Sequence, residues 1–406
     1  MRSLRWLLLL LPVTLAACLP DKAVPELDFH KIDRNPGPLR FNRGHLDELP
    51  SYQPSLGNEA YLNTPDLRGY DLSALDLSEQ FDYLLLAMFD DKTIWPSPEN
   101  LPSEYDIEKI LAYGKDPGLG VSTLHDQGVT GHGVGIAIID QILLADHIEY
   151  RDQLRLYEEL DDITGGRSSM HGAAVVSIAV GKTVGVAPDA DLYYIATHRN
   201  NGEDFSYLAR GIERLLEINA QLPAERKIRV ITMQIGWGSD VLGYGQLMAA
   251  IQRAQTENIL VISSSLESYT PFKFHGLGRS PLDDPDDINA YTPGYFWSPY
   301  FFDGAGDTDD RLLVPMDSRT LAGPTSIDEY AFYFQGGWSW AIPYIAGVYA
   351  LAAQIDPEIT PEVFWELALQ TGAFITLEHE DATYELGPII DPIAIISALK
   401  ESPCKR

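Results

Sequence analysis

From Val134 onward the apolar positions of this chain follow two rhythms. Unbroken apolar runs of strand length occur at 134–139 ("VGIAII"), 191–197 ("DLYYIAT"), 228–235 ("IRVITMQI") and 259–265 ("ILVISSS"). Between them lie longer stretches in which apolar residues recur every three or four positions. In 205–221 Leu208, Ile212, Leu215 and Leu216 share one helical face, and 244–258 repeats the spacing. A strand with no polar alternation is buried on both faces, so the pattern predicts an α/β fold: a mostly parallel central sheet flanked by helices. In such sheets, reactive groups collect beyond the carboxyl ends of the strands.

Upstream of Val134 the rhythm is weaker. Residues 19–60, rich in Pro, Asn, Asp and Gly, read as a tether. In 61–110, an N-terminal extension or prosegment, Leu67, Leu72 and Leu77 recur every five residues. Three rungs are too few for a solenoid and predict a short, turn-rich packing element. The catalytic-type pattern occupies 111–400. Residues 1–18, "MRSLRWLLLLLPVTLAAC", combine Arg2 and Arg5 with an apolar run too short to span a bilayer. The end, Leu15-Ala16-Ala17-Cys18, resembles the bacterial lipoprotein cleavage box. That resemblance implies cleavage before Cys18, acylation of its thiol, and export to the bacterial cell envelope on a lipid anchor. Cys404, the second of the 2 cysteines, then has no intrachain partner, so no disulfide framework is expected.

Charge narrows the partners. A formal net charge of −30 opposes binding to nucleic acid, whose phosphates would repel it. Among the 9 histidines there is no His-Glu-x-x-His pair, so a zinc hydrolase is not indicated. The acidic stretch 303–310 offers Asp303, Asp307 and Asp309 as oxygen ligands of the kind calcium takes, although their spacing matches no EF-hand loop. No cofactor is required by anything else in the sequence.

Three residues carry candidate chemistry. Asp140 closes the run "AIID" at a strand's carboxyl end, His171 opens a stretch of helical spacing, and Ser339 opens the apolar run "SWAIPYIAGVYALAA". Singly, each reads equally well as a turn cap, a core histidine and a helix cap. Together, Asp, His and Ser appear in one of the chain orders known for hydrolytic triads on α/β sheets. The imidazole serves as base near neutrality, the acid orients it, and the serine hydroxyl becomes nucleophilic beside it.

Four segments in order resemble the subtilisin-like serine peptidases (subtilases): "GVTGHGVGIAIID", "HGAAVVSIAVG", "VITMQIGWG" and "GWSWAIPYIAG". The resemblance covers roughly residues 111–400 and implies a subtilisin-like three-layer fold and a serine endopeptidase acting on peptide or protein substrates. Position by position, it implies Asp140 as orienting acid, His171 as base and Ser339 as nucleophile. Gln234, Ile235 and Gly236 would lie along the substrate cleft, binding an extended peptide as an added strand.

The departures are specific. Gln141-Ile142 follow the aspartate where a small residue and glycine are usual, and Trp338 and Trp340 flank the serine in place of Thr and Met. Glu267 falls at the position of the family's oxyanion asparagine. An ionised carboxylate there would repel the developing charge, and loss of one donor costs about 2.7–4 kcal/mol. Three readings stay open: Glu267 donates as a protonated acid, Ser265 or Ser268 donates instead, or the hole is broken and the enzyme is weak or dead; the alternative function is then a catalytically silent fold that binds peptides or a partner.

Overall fold

The computed structural model describes residues 26, 28–40, 43–52, 64–160, 166–197, 204–304, 306, 308 and 310–401. At its centre is a six-stranded parallel sheet in the spatial order Lys31–Ile32, Leu154–Glu159, Asp191–Ala196, Gly135–Asp140, Ile228–Met233, Leu260–Ser263. Every apolar run singled out above lies in it, within a residue or two of the expected ends. The α/β expectation therefore holds. Period-2 geometry explains why these runs are apolar throughout. In Gly135–Asp140, Ile136 and Ile138 face one core, while Ala137 and Ile139 face another.

Helices cover both faces. Ser206–Gln221 and Tyr244–Thr256 pack on the Ala137/Ile139 side through Leu208, Ile212, Leu215, Leu247 and Ile251. Met170–Val180 and Trp338–Ile355 fill the other side and are buried nearly all round, consistent with their lack of a polar stripe. The backbones approach closely there: a Cβ on Gly347 would lie 2.5 Å from Val186 Cβ.

The sequence pattern did not separate two further sheets from loops. A mixed five-stranded sheet runs in the order Tyr291–Pro293, Lys273–Arg279, Arg311–Pro315, Ala382–Ile389, Ala373–His379. A three-stranded antiparallel sheet is built from Arg319–Ala322, Tyr330–Tyr333 and Phe89–Asp90.

Phe89–Asp90 belongs to the N-terminal segment. Leu67, Leu72 and Leu77, the five-residue repeat, are all buried in one cluster with Leu84, Phe89, Ile110 and Phe332. The tether expectation also gives way over its described part. Lys31–Ile32 adds an edge strand to the central sheet and Lys31 pairs with Glu158, while Tyr52 shares a 2.8 Å hydrogen bond with Tyr295. Strands of two residues carry too little periodicity to be seen in advance. Cys18 and Cys404 lie outside the described residues. Among the described residues no helix is long and apolar enough to cross a membrane.

Candidate active site

Gly135–Asp140 lies between Asp191–Ala196 and Ile228–Met233, so its carboxyl end faces the crevice where the strand order reverses. Asp140 ends this strand, with only 8% of its surface exposed. His171 is brought to it by the first turn of Met170–Val180, whose N-cap Ser169 accepts a 3.0 Å hydrogen bond from Gly172 N. Ser169 N in turn donates to Ile142 O at 2.8 Å, which ties the helix to the chain just after Asp140. Gly172 is required by this approach. A Cβ there would stand 2.8 Å from Tyr194 Oη, 3.1 Å from Gln141 O and 3.2 Å from Ile142 O. His171 Nδ1 consequently sits 2.9 Å from both carboxylate oxygens of Asp140. The Asp140 carboxylate also accepts from Gln141 N at 2.6 Å. That geometry places the imidazole proton on Nδ1 and leaves Nε2 as the basic nitrogen.

Ser339 is the second residue of Trp338–Ile355. The helix starts from Gly337 in extended backbone with no side-chain cap; Trp340 N donates to Gly337 O at 2.7 Å, and no capping side chain claims the N–H groups of the first turn. Ser339 Oγ lies 3.5 Å from Gln234 O, a long contact, and no hydrogen bond joins it to His171. Trp340 stands next to the imidazole, ring centroids 5.6 Å apart and 62° inclined. Asp140 and His171 are thus paired, while the Ser339 hydroxyl lies beside Gln234 O on the neighbouring strand's extension. Such contacts are often long before substrate binds.

Gln234, Ile235 and Gly236 follow the strand Ile228–Met233. Gln234 is buried, Ile235 half-buried and Gly236 exposed. Ser264 N donates to Ile235 O at 3.2 Å, holding this segment against the 263–265 serines. A small cleft beside Asp140 is lined by Thr197, Tyr207, Leu208, Gln234 and Ile235. Gln234 Nε2 donates to Thr232 Oγ1 at 2.8 Å, while Gln234 Oε1 is buried without a protein partner.

The candidate oxyanion donors are all engaged elsewhere. Arg311 donates to both oxygens of Glu267, at 3.2 and 3.1 Å, on the protein surface. Ser265 Oγ accepts from Trp237 N at 2.7 Å and donates to Trp237 O at 2.9 Å. Ser268 Oγ donates to Ser265 O at 2.7 Å. Trp338, the first residue of the Ser339 helix, lines a small pocket together with Ser264, Leu266 and Glu267 and is edge-on to Phe274, His275 and Phe296.

Buried polar groups behind the serine were not foreseen. Asp317, 4% exposed, accepts from Gly336 N at 2.7 Å and Tyr295 N at 2.8 Å, and burial pushes its carboxyl up to about 7. Gly336 N is therefore held three residues before Ser339. His275 sits among Phe296, Trp297 and Trp338, and desolvation followed by the Arg311 charge lowers it to about 3. Lone acids and histidines in the aromatic-rich 269–330 stretch gave no spacing from which either role could be read.

Of the acidic loop, Asp303 is exposed, and Asp307 and Asp309 lie outside the described residues. Among the described residues no group of three or more His, Cys, Asp or Glu side chains is placed to hold a metal ion.

Residues 131–289 match the model of the Subtilase family, a stretch that includes Asp140 and His171 and ends before Ser339. The chain is similar to the subtilisin-like protease PopC of Myxococcus xanthus, 24% identical over 269 residues, 59% of this chain and 56% of that one. The chain thus spans just over half the length of PopC. It is also similar to subtilisin E of Bacillus subtilis, 25% identical over 313 residues, 70% of this chain and 74% of that one. Among solved structures, a protease from Pseudoalteromonas arctica superposes with a TM-score of 0.51 at 19% identity, covering 72% of this chain and 97% of that one. This last likeness speaks to the fold alone.

Proposed function

We propose that this chain, whose residues 131–289 match the Subtilase family, is a serine endopeptidase that cleaves peptide bonds through Asp140, His171 and Ser339. The observation that carries this reading is the Asp140–His171 pair, 2.9 Å on both oxygens, at the carboxyl end of a central strand. In this mechanism His171 Nε2 takes the Ser339 hydroxyl proton as Oγ bonds to the scissile carbonyl carbon. The same proton goes to the leaving amine as the peptide C–N bond breaks, leaving an acyl ester on Ser339. Water, deprotonated by His171, then attacks the ester carbon; the bond to Ser339 Oγ breaks, His171 returns the proton to Oγ, and the carboxylic acid product leaves. Asp140 remains ionised throughout and stabilises the imidazolium. The backbone N–H groups of the helix's first turn stabilise the oxyanion, and Gln234, Ile235 and Gly236 bind the peptide as an extended strand. We further propose that cleavage before Cys18 and acylation of its thiol anchor the exported chain at the bacterial cell envelope.

A specific observation favours a second reading, in which the crevice binds peptides without cutting them. Glu267, at the position where the resemblance places the oxyanion amide, is a carboxylate ion-paired to Arg311. The test is labelling with a serine-directed fluorophosphonate, beside peptide hydrolysis, for wild type, Ser339→Ala and His171→Ala. Labelling and hydrolysis abolished by either substitution support the peptidase. Folded wild type inert in both assays from acid to alkaline pH favours the binding protein.

A further inference from the structure

The N-terminal segment reaches the candidate site by a route of direct contacts. Asp66 binds Arg68 with both oxygens, Oδ1 to Nε at 2.9 Å and Oδ2 to Nη2 at 3.0 Å, and is itself bound by Arg43. So fixed, the Arg68 guanidinium donates through Nη1 to Tyr333 Oη at 3.1 Å and stands 5.3 Å from the Tyr333 ring centroid. Tyr333 is edge-on to Trp340, centroids 5.8 Å apart at 87°, and Trp340 is the residue against the His171 imidazole. A second contact runs from Thr64 Oγ1 to Gln335 Oε1, 3.2 Å, one residue before the Gly336-Gly337 turn into the serine helix.

The strand that carries Tyr333 is itself completed from the N-terminus. Phe89–Asp90 pairs antiparallel with Tyr330–Tyr333, with Ala331 opposite Asp90 and Phe332 opposite Phe89. Met88 N donates to Pro65 O and Leu67 N to Met88 O, at 2.7 and 2.8 Å, so residues 65–67 are laced to the same strand. Phe332 points into the N-terminal cluster, and Tyr333 into the main core behind Trp340. Removing residues 64–90 would therefore strip a strand from the sheet leading to Ser339, leave Phe332 exposed, and free the ring that backs Trp340.

Resting on the peptidase reading above, we propose that residues 64–90 are a permanent positioning element of the active site rather than a removable leader. Arg68 is its positioning residue, acting on His171 through Tyr333 and Trp340. A planar, bidentately held guanidinium suits this task better than an ammonium, which lacks the fork that fixes one orientation. The effect falls on kcat, because the imidazole must be aligned in the transition state while the substrate is held by the separate 234–236 segment.

The experiment compares peptide hydrolysis and fluorophosphonate labelling for the full chain as wild type, Arg68→Met, Arg68→Lys and Leu77→Val. The last loosens the N-terminal cluster away from the relay. The expected result is a kcat lower by about 10- to 100-fold in Arg68→Met at unchanged KM, the scale of a small misplacement felt from a distance. Arg68→Lys falls between, and Leu77→Val loses stability with kcat retained. An Arg68→Met enzyme whose kcat equals that of Leu77→Val, or whose loss lies in KM alone, overturns the proposal. Mass analysis of the labelled wild-type species supplies a readout independent of how the variants fold. It is expected to retain residues 64–90, and an active species beginning beyond residue 90 also overturns the proposal. A wild type that neither labels nor hydrolyses defeats the peptidase reading instead, before any variant is compared.

Discussion

Asp317 offers a stability test whose sign and size follow from its surroundings. It sits in the turn between Arg311–Pro315 and Arg319–Ala322, is 4% exposed, and has two backbone N–H donors with no ion-pair partner among the described residues. Desolvation outweighs those donors and raises the carboxyl from 3.8 to about 7. The folded chain therefore keeps a proton that the unfolded chain has released. The resulting stabilisation is present in full below pH 3.8 and is lost as pH rises through about 7. Integrating the proton difference from about pH 5 to about pH 8 gives roughly 2.5 kcal/mol, at about 1.4 kcal/mol for each factor of ten. Asp317→Asn removes the titration at nearly constant volume. Its amide also turns an N–H toward Gly336 N or Tyr295 N, a mismatch that costs about 1–3 kcal/mol at every pH. Urea denaturation of both proteins across this range isolates the titrating part. The stability difference between Asp317→Asn and wild type should move in the variant's favour by roughly 2.5 kcal/mol as pH rises. A difference that stays flat across the range would refute a raised Asp317 and, with it, the account of its burial.

The other expectations are more local. Gly172→Ala drives a methyl into Tyr194 Oη and the Gln141 carbonyl, so the His171 helix must retreat from Asp140; peptide hydrolysis should fall about 10- to 100-fold, measured as kcat. His275, lowered to about 3, is protonated first in the unfolded chain; its contribution is present above pH 6.5 and lost as pH falls toward 3, seen as an acid-side fall in stability that His275→Phe abolishes. Glu267→Asn breaks an exposed ion pair with Arg311 that is worth about 1 kcal/mol or less, which thermal denaturation reads directly. If the amide takes up the oxyanion position, kcat at neutral pH rises by up to about 100-fold, whereas an unchanged kcat shows that residue 267 does not serve that position.

Residue type and spacing carried much of the fold and singled out the candidate site residues. Four long apolar runs in 134–265 became the heart of the parallel sheet, because a strand covered on both sides cannot hide a polar alternation. Asp140, His171 and Ser339 stood out because each falls where an element begins or ends, and such junctions are legible from local pattern. Short strands escaped notice. Lys31–Ile32 and Phe89–Asp90 are two residues each, and their pairing is specified by partners more than a hundred residues away.

Glu267 marks the boundary between the two kinds of knowledge. Its alignment with an oxyanion position was a matter of sequence, and the chemical difficulty of a carboxylate there followed at once. Its engagement with Arg311, and those of Ser265 with Trp237 and Ser268 with Ser265 O, were decided in three dimensions, because a hydrogen bond depends on direction and distance between distant segments. The same holds for the N-terminal segment. Its leucine repeat announced that it would pack. Only the tertiary structure decided that it packs on the strand behind the serine, since burial is satisfied by any complementary apolar face and sequence alone does not name which one.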